Sequence, residues 1–89
     1  MRTPSYTNQF EKDLRRMQRR GKKIDKLKVV LATLINEERL EERYRDHVLS
    51  GNYRDRRECH IEPDWLLIYK LLEDSVIFER TGSHSDLFE

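Results

Sequence analysis

The sequence predicts an α+β fold: an N-terminal helical hairpin packed on a small antiparallel sheet, with a short edge strand at the N-terminus. Three observations carry this. Apolar side chains recur at helical spacing up to about residue 36, the period falls to two from residue 47 onward, and 89 residues bound one domain with one modest core.

Residues 2–6, RTPSY, supply a short strand, which Pro4, having no N–H to give a ladder, confines to an edge. Thr7 or Asn8 caps a first helix that brings Phe10, Leu14 and Met17 onto one face; Gly21 ends it. A second helix, from about Ile24 to Asn36, sets Ile24, Leu27, Leu31, Leu34 and Ile35 at the same spacing. The two pair as a hairpin whose stripes need the downstream strands as a partner. Residues 37–46 are charged and weakly periodic, a helix end running into a loop. In YRDRRECHIE, alternation assigns Tyr53, Asp55, Arg57, Cys59 and Ile61 to one face; Arg54, Arg56, Glu58 and His60 point away from the core. WLLIYKLL (65–72) is apolar on both faces, as a central strand is when helices cover one side. Glu73 and Asp74 turn the chain into SVIFERT, with Val76, Phe78 and Arg80 on one face and Ile77 and Glu79 on the other. Gly82 breaks that strand and leaves a tail, SHSDLFE.

Charged residues make up 39% of the chain and mean hydropathy is −0.94, yet the apolar residues come in periodic blocks, which argues for a folded protein. The net charge of +1 hides an asymmetry: residues 1–28 hold ten Lys and Arg against three acids, and residues 29–89 hold eight against fourteen. A basic face of this kind attracts phosphate-rich partners; it is also what an ordinary solvated helix face looks like. Cys59 is alone, so no internal disulfide forms, which fits a reducing cytoplasm. No apolar run reaches the roughly 18 residues of a membrane span, and no secretory leader is visible.

All three histidines, the one Trp and the one Cys lie between His47 and Phe88. HIEPDWLLIYK joins His60, Glu62 and Asp64 to a strand, and FERTGSH ends another with Arg80 and His84. Such a layout suggests a site built on a sheet. In the order YRDHVLSG (44–51), RECHIEPDWLLIYK (57–70) and FERTGSHSDLF (78–88), these segments resemble the RelE/ParE superfamily of bacterial toxins, most closely its YafQ branch. With the helices upstream the likeness spans nearly the whole chain, so residues 1–89 form a single RelE/YafQ-like toxin domain. Two positions depart from the family: Val48 stands where Pro is frequent, and Arg56 where an aromatic is common.

The resemblance implies the toxin of a type II toxin-antitoxin pair, a ribosome-dependent endoribonuclease that cuts mRNA in the ribosomal A site without a metal or cofactor. It also implies a cognate antitoxin, DinJ/RelB-like, in a hetero-oligomer that binds its own promoter DNA. Metal-free cleavage of RNA needs a base for the 2′-hydroxyl, a cation for the phosphate and an acid for the departing 5′-oxygen. His84 is assigned as the acid and Arg80 as the cation, with an ion pair to Glu79 or Asp64 the alternative for Arg80. His47, His60 and Asp64 share the candidacy for base, Asp64 alternatively orienting His60 across the Pro63 turn. Phe88 stacks on a base, and Arg54, Arg56, Lys22, Lys23 and Lys26 meet substrate phosphates. The basic helix residues, Lys12, Arg15, Arg16, Arg19, Arg20 and Lys28 among them, hold ribosomal RNA. Trp65 packs under the site, and Cys59 is a small buried hydrophobe.

Two other readings stay open at this level. One is a ParE-like toxin that acts on a protein. The other is a metal-dependent nuclease built on His47, His60, Asp64, His84 and Cys59, although no paired-ligand spacing such as C-x₂-C supports it.

Overall fold

The chain begins in β1 (Thr3–Tyr6), which leads through Thr7 into α1 (Asn8–Arg19). The Thr7 side chain makes that corner: its oxygen accepts from the Phe10 N–H at 2.9 Å, and its hydroxyl donates to the Glu79 carbonyl at 2.9 Å. Gly21, at φ 82°, closes the first helix, and α2 (Ile24–Ile35) follows. β2 (His47–Val48), β3 (Arg57–Glu62), β4 (Trp65–Leu71) and β5 (Ser75–Gly82) then run as an antiparallel meander, and α3 (His84–Phe88) folds back over the sheet. This computed structural model describes residues 1–88.

The sheet order is β1-β5-β4-β3-β2. The expected edge strand is present, but it pairs with β5 in parallel, Pro4 opposite Val76 and Tyr6 opposite Phe78, so the sheet is mixed. The two helices separate β1 from the rest of the sheet and deliver the chain to the far edge, where an edge position tolerates Pro4.

One face of the sheet carries the main core. Leu27, Val30 and Leu34 of α2 and Phe10 and Met17 of α1 pack on Cys59, Trp65, Leu67, Tyr69, Val76 and Phe78, all buried. The helix stripes therefore do meet the strands. Tyr6, Phe10 and Phe78 stack and tilt against one another at the β1 end, with centroids 5.4–6.1 Å apart. Trp65 lies in the core as expected, its indole N–H donating to Thr81 Oγ1 at 2.9 Å.

The opposite face is also covered. Leu66 and Ile68 of β4 meet Leu87 of α3, with Leu49 and Tyr53 alongside. This corrects the reading of β3, whose polar face was expected in solvent: Glu58 is only 5% exposed. It also starts later than the alternation suggests. Gly51–Tyr53 is a 3₁₀ turn and Asp55 has φ 70°, so residues 53–56 are not strand.

A bulge resets β5. Ile68 stands opposite Arg80 but Tyr69 stands opposite Phe78, which leaves Glu79 as the extra residue. Thr81 therefore joins the core side opposite Leu67, and Arg80 leaves the face of Val76 and Phe78 to which simple alternation assigns it. Among the described residues, no helix is long and apolar enough to cross a membrane.

Candidate functional site

Cross-strand partners share a face, so the register lays out the site. His47, Glu58, Ile68 and Arg80 form one row across β2, β3, β4 and β5; His60, Leu66 and Gly82 form the next. His47 and His60 stack at 6.2 Å between ring centroids, His60 and His84 lie 5.9 Å apart, and His84 and Phe88 lie 6.5 Å apart. Three imidazoles and a phenyl ring thus run in a line on the face opposite the helical core.

Two of the rings, His47 and His84, are held by hydrogen bonds. The loop before β2 is anchored by Asp46, which accepts from Arg57 Nη2 at 2.8 Å and from the Tyr69 hydroxyl. Burial, and then the Asp46 carboxylate, pushes the Tyr69 phenol well above its ordinary pKa, so it stays a donor. His47 Nδ1–H donates to the Arg45 carbonyl at 2.8 Å, which turns Nε2 toward Glu58 Oε1 at 3.4 Å. His60 Nε2 lies 3.9 Å from the same carboxylate oxygen. Glu58 is therefore the shared carboxyl neighbour of two histidines. No role was read for it from the sequence, although its place two residues before His60 on a strand was the available signal.

His84 is not on a loose tail: it opens α3. Its Nδ1 lies 2.6 Å from Asp64 Oδ1, which also accepts the His84 backbone N–H at 2.9 Å. The imidazole Nδ1–H is thereby fixed on the carboxylate and Nε2 is presented outward. These bonds, the backbone one first, hold the Asp64 carboxyl below the usual range. Asp64 does sit in the Pro63 turn, as expected, but the imidazole it orients is His84 and not His60, because the turn points it toward the start of α3.

Arg80 is paired with neither Glu79 nor Asp64. Its Nε donates to Asp13 Oδ2 at 2.7 Å and its Nη2 to Oδ1 at 3.2 Å, while the Tyr53 phenol lies beside it. Asp13 comes from α1 and is wholly buried; it also accepts from Arg16 at 3.0 Å and from the Thr81 N–H at 3.2 Å. Glu79, freed by the bulge, instead takes Arg56 at 3.1 Å, so the arginine that departs from the family pattern is absorbed by an ion pair.

α3 itself is tethered. Arg20 binds both oxygens of Asp86, at 2.6 and 2.9 Å, and Arg16 reaches it at 3.0 Å. Ser83 and Asp86 exchange N–H bonds as a capping pair. The Arg20 hydrogen bonds hold the Asp86 carboxyl far below the usual carboxylate range. Gly82 permits this packing, since a Cβ there would lie 2.9 Å from Asp86 Cβ and Oδ2. Gly82→Ala should therefore displace α3 at a stability cost of about 1–3 kcal/mol. The melting temperature checks this; an unchanged value would show that α3 accommodates the added methyl.

The remaining site candidates are dispersed. Lys22 and Lys26 both bind Glu62, at 2.8 and 2.9 Å, whereas Lys23 and Arg54 are exposed. Phe88 meets Tyr53 edge-on at 5.7 Å and stays half-exposed. Burial drives the Cys59 thiol far up, as suits a packing residue. Among the described residues, no group of three or more His, Cys, Asp or Glu side chains is arranged to hold a metal ion.

A sheet face with clustered imidazoles, a held guanidinium and an aromatic at its end has the equipment to move protons beside an anion. Residues 2–89 match the family described as bacterial toxin of type II toxin-antitoxin system, YafQ, and the chain belongs to that family. It is 45% identical over 84 residues to the mRNA interferase toxin YafQ of Escherichia coli strain K12, covering 93% of this chain and 91% of the relative. It is 34% identical over 88 residues to a putative toxin YafQ of Haemophilus influenzae, covering 91% and 86%. Its five-stranded α+β architecture matches the toxin in the crystal structure of the E. coli DinJ-YafQ complex, with a TM-score of 0.94 and 43% identity over the full length of both chains.

Proposed function

We propose that this toxin is an mRNA interferase with a RelE-like fold, cutting messenger RNA in the ribosomal A site by acid–base catalysis without a metal. The observation that carries the reading is the line of rings from His47 through His60 and His84 to Phe88, on the face whose cross-strand row ends at Arg80. The 2′-oxygen forms a bond to phosphorus as His47 or His60, both beside Glu58, takes its proton. Arg80 meets the charge on the phosphate oxygens. The bond from phosphorus to the 5′-oxygen breaks as His84 Nε2 delivers a proton, with Asp64 holding the other ring nitrogen. Phe88 stacks on the base beyond the cut.

The exposed cations Lys12, Arg15, Arg19, Lys23 and Lys28 supply sequence-independent contacts to ribosomal RNA. A cognate antitoxin of the DinJ kind is the protein partner, and the complex binds promoter DNA. The test is to translate a reference message on purified ribosomes with the toxin and map the new ends. Cleavage by 2′-hydroxyl attack leaves 2′,3′-cyclic phosphate and 5′-hydroxyl ends inside the reading frame. Ends bearing 5′-phosphate, or intact messages, would contradict the mechanism.

A further inference from the structure

A groove opens beside the imidazole line. β2 pairs with β3 only opposite Glu58 and Arg57, so from Cys59 to Glu62 the outer edge of β3 has no strand neighbour among the described residues. That edge faces a groove of about 480 Å³, closed on its far side by α2 and by residues 43–45. The volume falls within the range of roughly 300–1,000 Å³ that small-ligand sites occupy.

Its walls are of two kinds. Val29, Ile61, Pro63 and the Tyr44 ring present apolar surface, and Val29 is 58% exposed although it lies on a helix beside the core. Arg43, Arg45 and Lys26 line the same groove, and Glu62, which lines it too, is already paired with Lys22 at 2.8 Å and Lys26 at 2.9 Å. Arg43 lies 4.8 Å over the Tyr44 ring and donates to its hydroxyl at 2.9 Å, which sets the ring in place. Arg45 is exposed and has no ion-pair partner among the described residues; its carbonyl is the acceptor that orients His47. His60 belongs to both the groove and the ring line, and its buried Nδ1 has no hydrogen-bond partner among the described residues.

A groove with apolar walls and Arg45, unpaired among the described residues, beside them suits a nucleobase and its phosphate. An added peptide strand suits it less, because the free edge is four residues long and ends at Pro63, which has no N–H. Its position also gives a direction. The groove adjoins His47 and His60, whereas Phe88 lies beyond His84, at the other end. We propose that the groove seats the nucleotide bearing the attacking 2′-hydroxyl, its base between Tyr44, Val29 and Ile61 and its 5′-phosphate on Arg45 and Arg43. The groove is then a specificity subsite for the 5′ side of the cut. This rests on the RNA-cleavage reading above.

The test uses Val29→Glu, which puts a carboxylate on exposed helix surface, and Arg45→Asn, which retains a residue tolerant of the φ of 51° found there. Wild type and variants are given the same message on ribosomes, and cleavage rate and the bases flanking each cut are compared. Both variants should keep the wild-type melting temperature and cut preferred sites about tenfold more slowly, the equivalent of one lost stacking or phosphate contact. Base preference on the 5′ side should flatten while that on the 3′ side persists. Should one variant fail to fold, the other carries the test. Cleavage at wild-type rate with unaltered 5′ preference overturns the subsite and leaves the nuclease reading standing. So does the same result with weakened antitoxin binding, which would assign the groove to a protein partner. If the wild-type chain itself makes no 5′-hydroxyl ends, the nuclease reading fails and the subsite fails with it.

Discussion

His84→Ala should lower the rate of RNA cleavage by about 10²–10⁴-fold, the range a positioned general acid supplies, without unfolding the protein. The side chain is 55% exposed, and its hydrogen bonds run to a carboxylate that is itself 69% exposed, so little burial is lost with it. Antitoxin binding and the melting temperature should be retained, which separates a lost proton donor from a lost fold. Asp64→Asn should cost less, because an amide oxygen still accepts the Nδ1–H but no longer as an anion. The measurement is single-turnover cleavage on ribosomes programmed with one message. A His84→Ala protein that cuts within about tenfold of wild type would remove this histidine from the chemistry.

Asp13→Ala should be the most damaging single change to stability, at about 3–5 kcal/mol, the usual cost of stranding one partner of a buried charge pair. Asp13 is fully buried and takes hydrogen bonds from Arg80, Arg16, Gln9 and the Thr81 N–H. Without it the Arg80 guanidinium, 22% exposed, faces Tyr53 with no carboxylate among the described residues, and a buried backbone donor is orphaned. Set against the typical 5–15 kcal/mol of a whole domain, that loss is large. It should appear as a fall in melting temperature of more than about 12 °C. The same geometry makes Arg80→Ala an impure test of catalysis, because it leaves the Asp13 charge in the core. The double change Asp13→Ala with Arg80→Ala should cost less than the sum of the two singles. Additive losses would mean that the pair is not coupled.

How far the sequence revealed all this depended on whether the information was local. Both helices and their apolar stripes follow from spacing at Phe10, Leu14 and Met17 and from Ile24 to Ile35, and the meander follows from period two with turns at Pro63 and Glu73. The parallel pairing of β1 with β5 did not follow, since nothing in residues 2–6 states which strand they will meet. Alternation also failed at Glu79, because a bulge is an extra residue that leaves no mark on composition. In the site, the three histidines and Phe88 were identifiable as types. Their partners were not: Asp64 chooses His84 over His60, and Arg80 chooses Asp13, through contacts between segments distant in sequence. One clue was present and unused. Asp13 lies three residues after Phe10 and four before Met17, a carboxylate inside an apolar stripe, and such a group needs a cation brought to it.

The pairing of Thr3–Tyr6 with Ser75–Phe78 has a temporal consequence. A ribosome makes the edge of this sheet first and its neighbour some seventy positions later, a separation seen directly in the bond from Thr7 to Glu79. Closing so long a loop is entropically expensive before any contact rewards it. The two helices can form early, but the row that ends at Arg80 and the imidazole at the start of α3 come together only after β5 has left the tunnel. The row and the imidazole are therefore among the last parts of the molecule to be assembled.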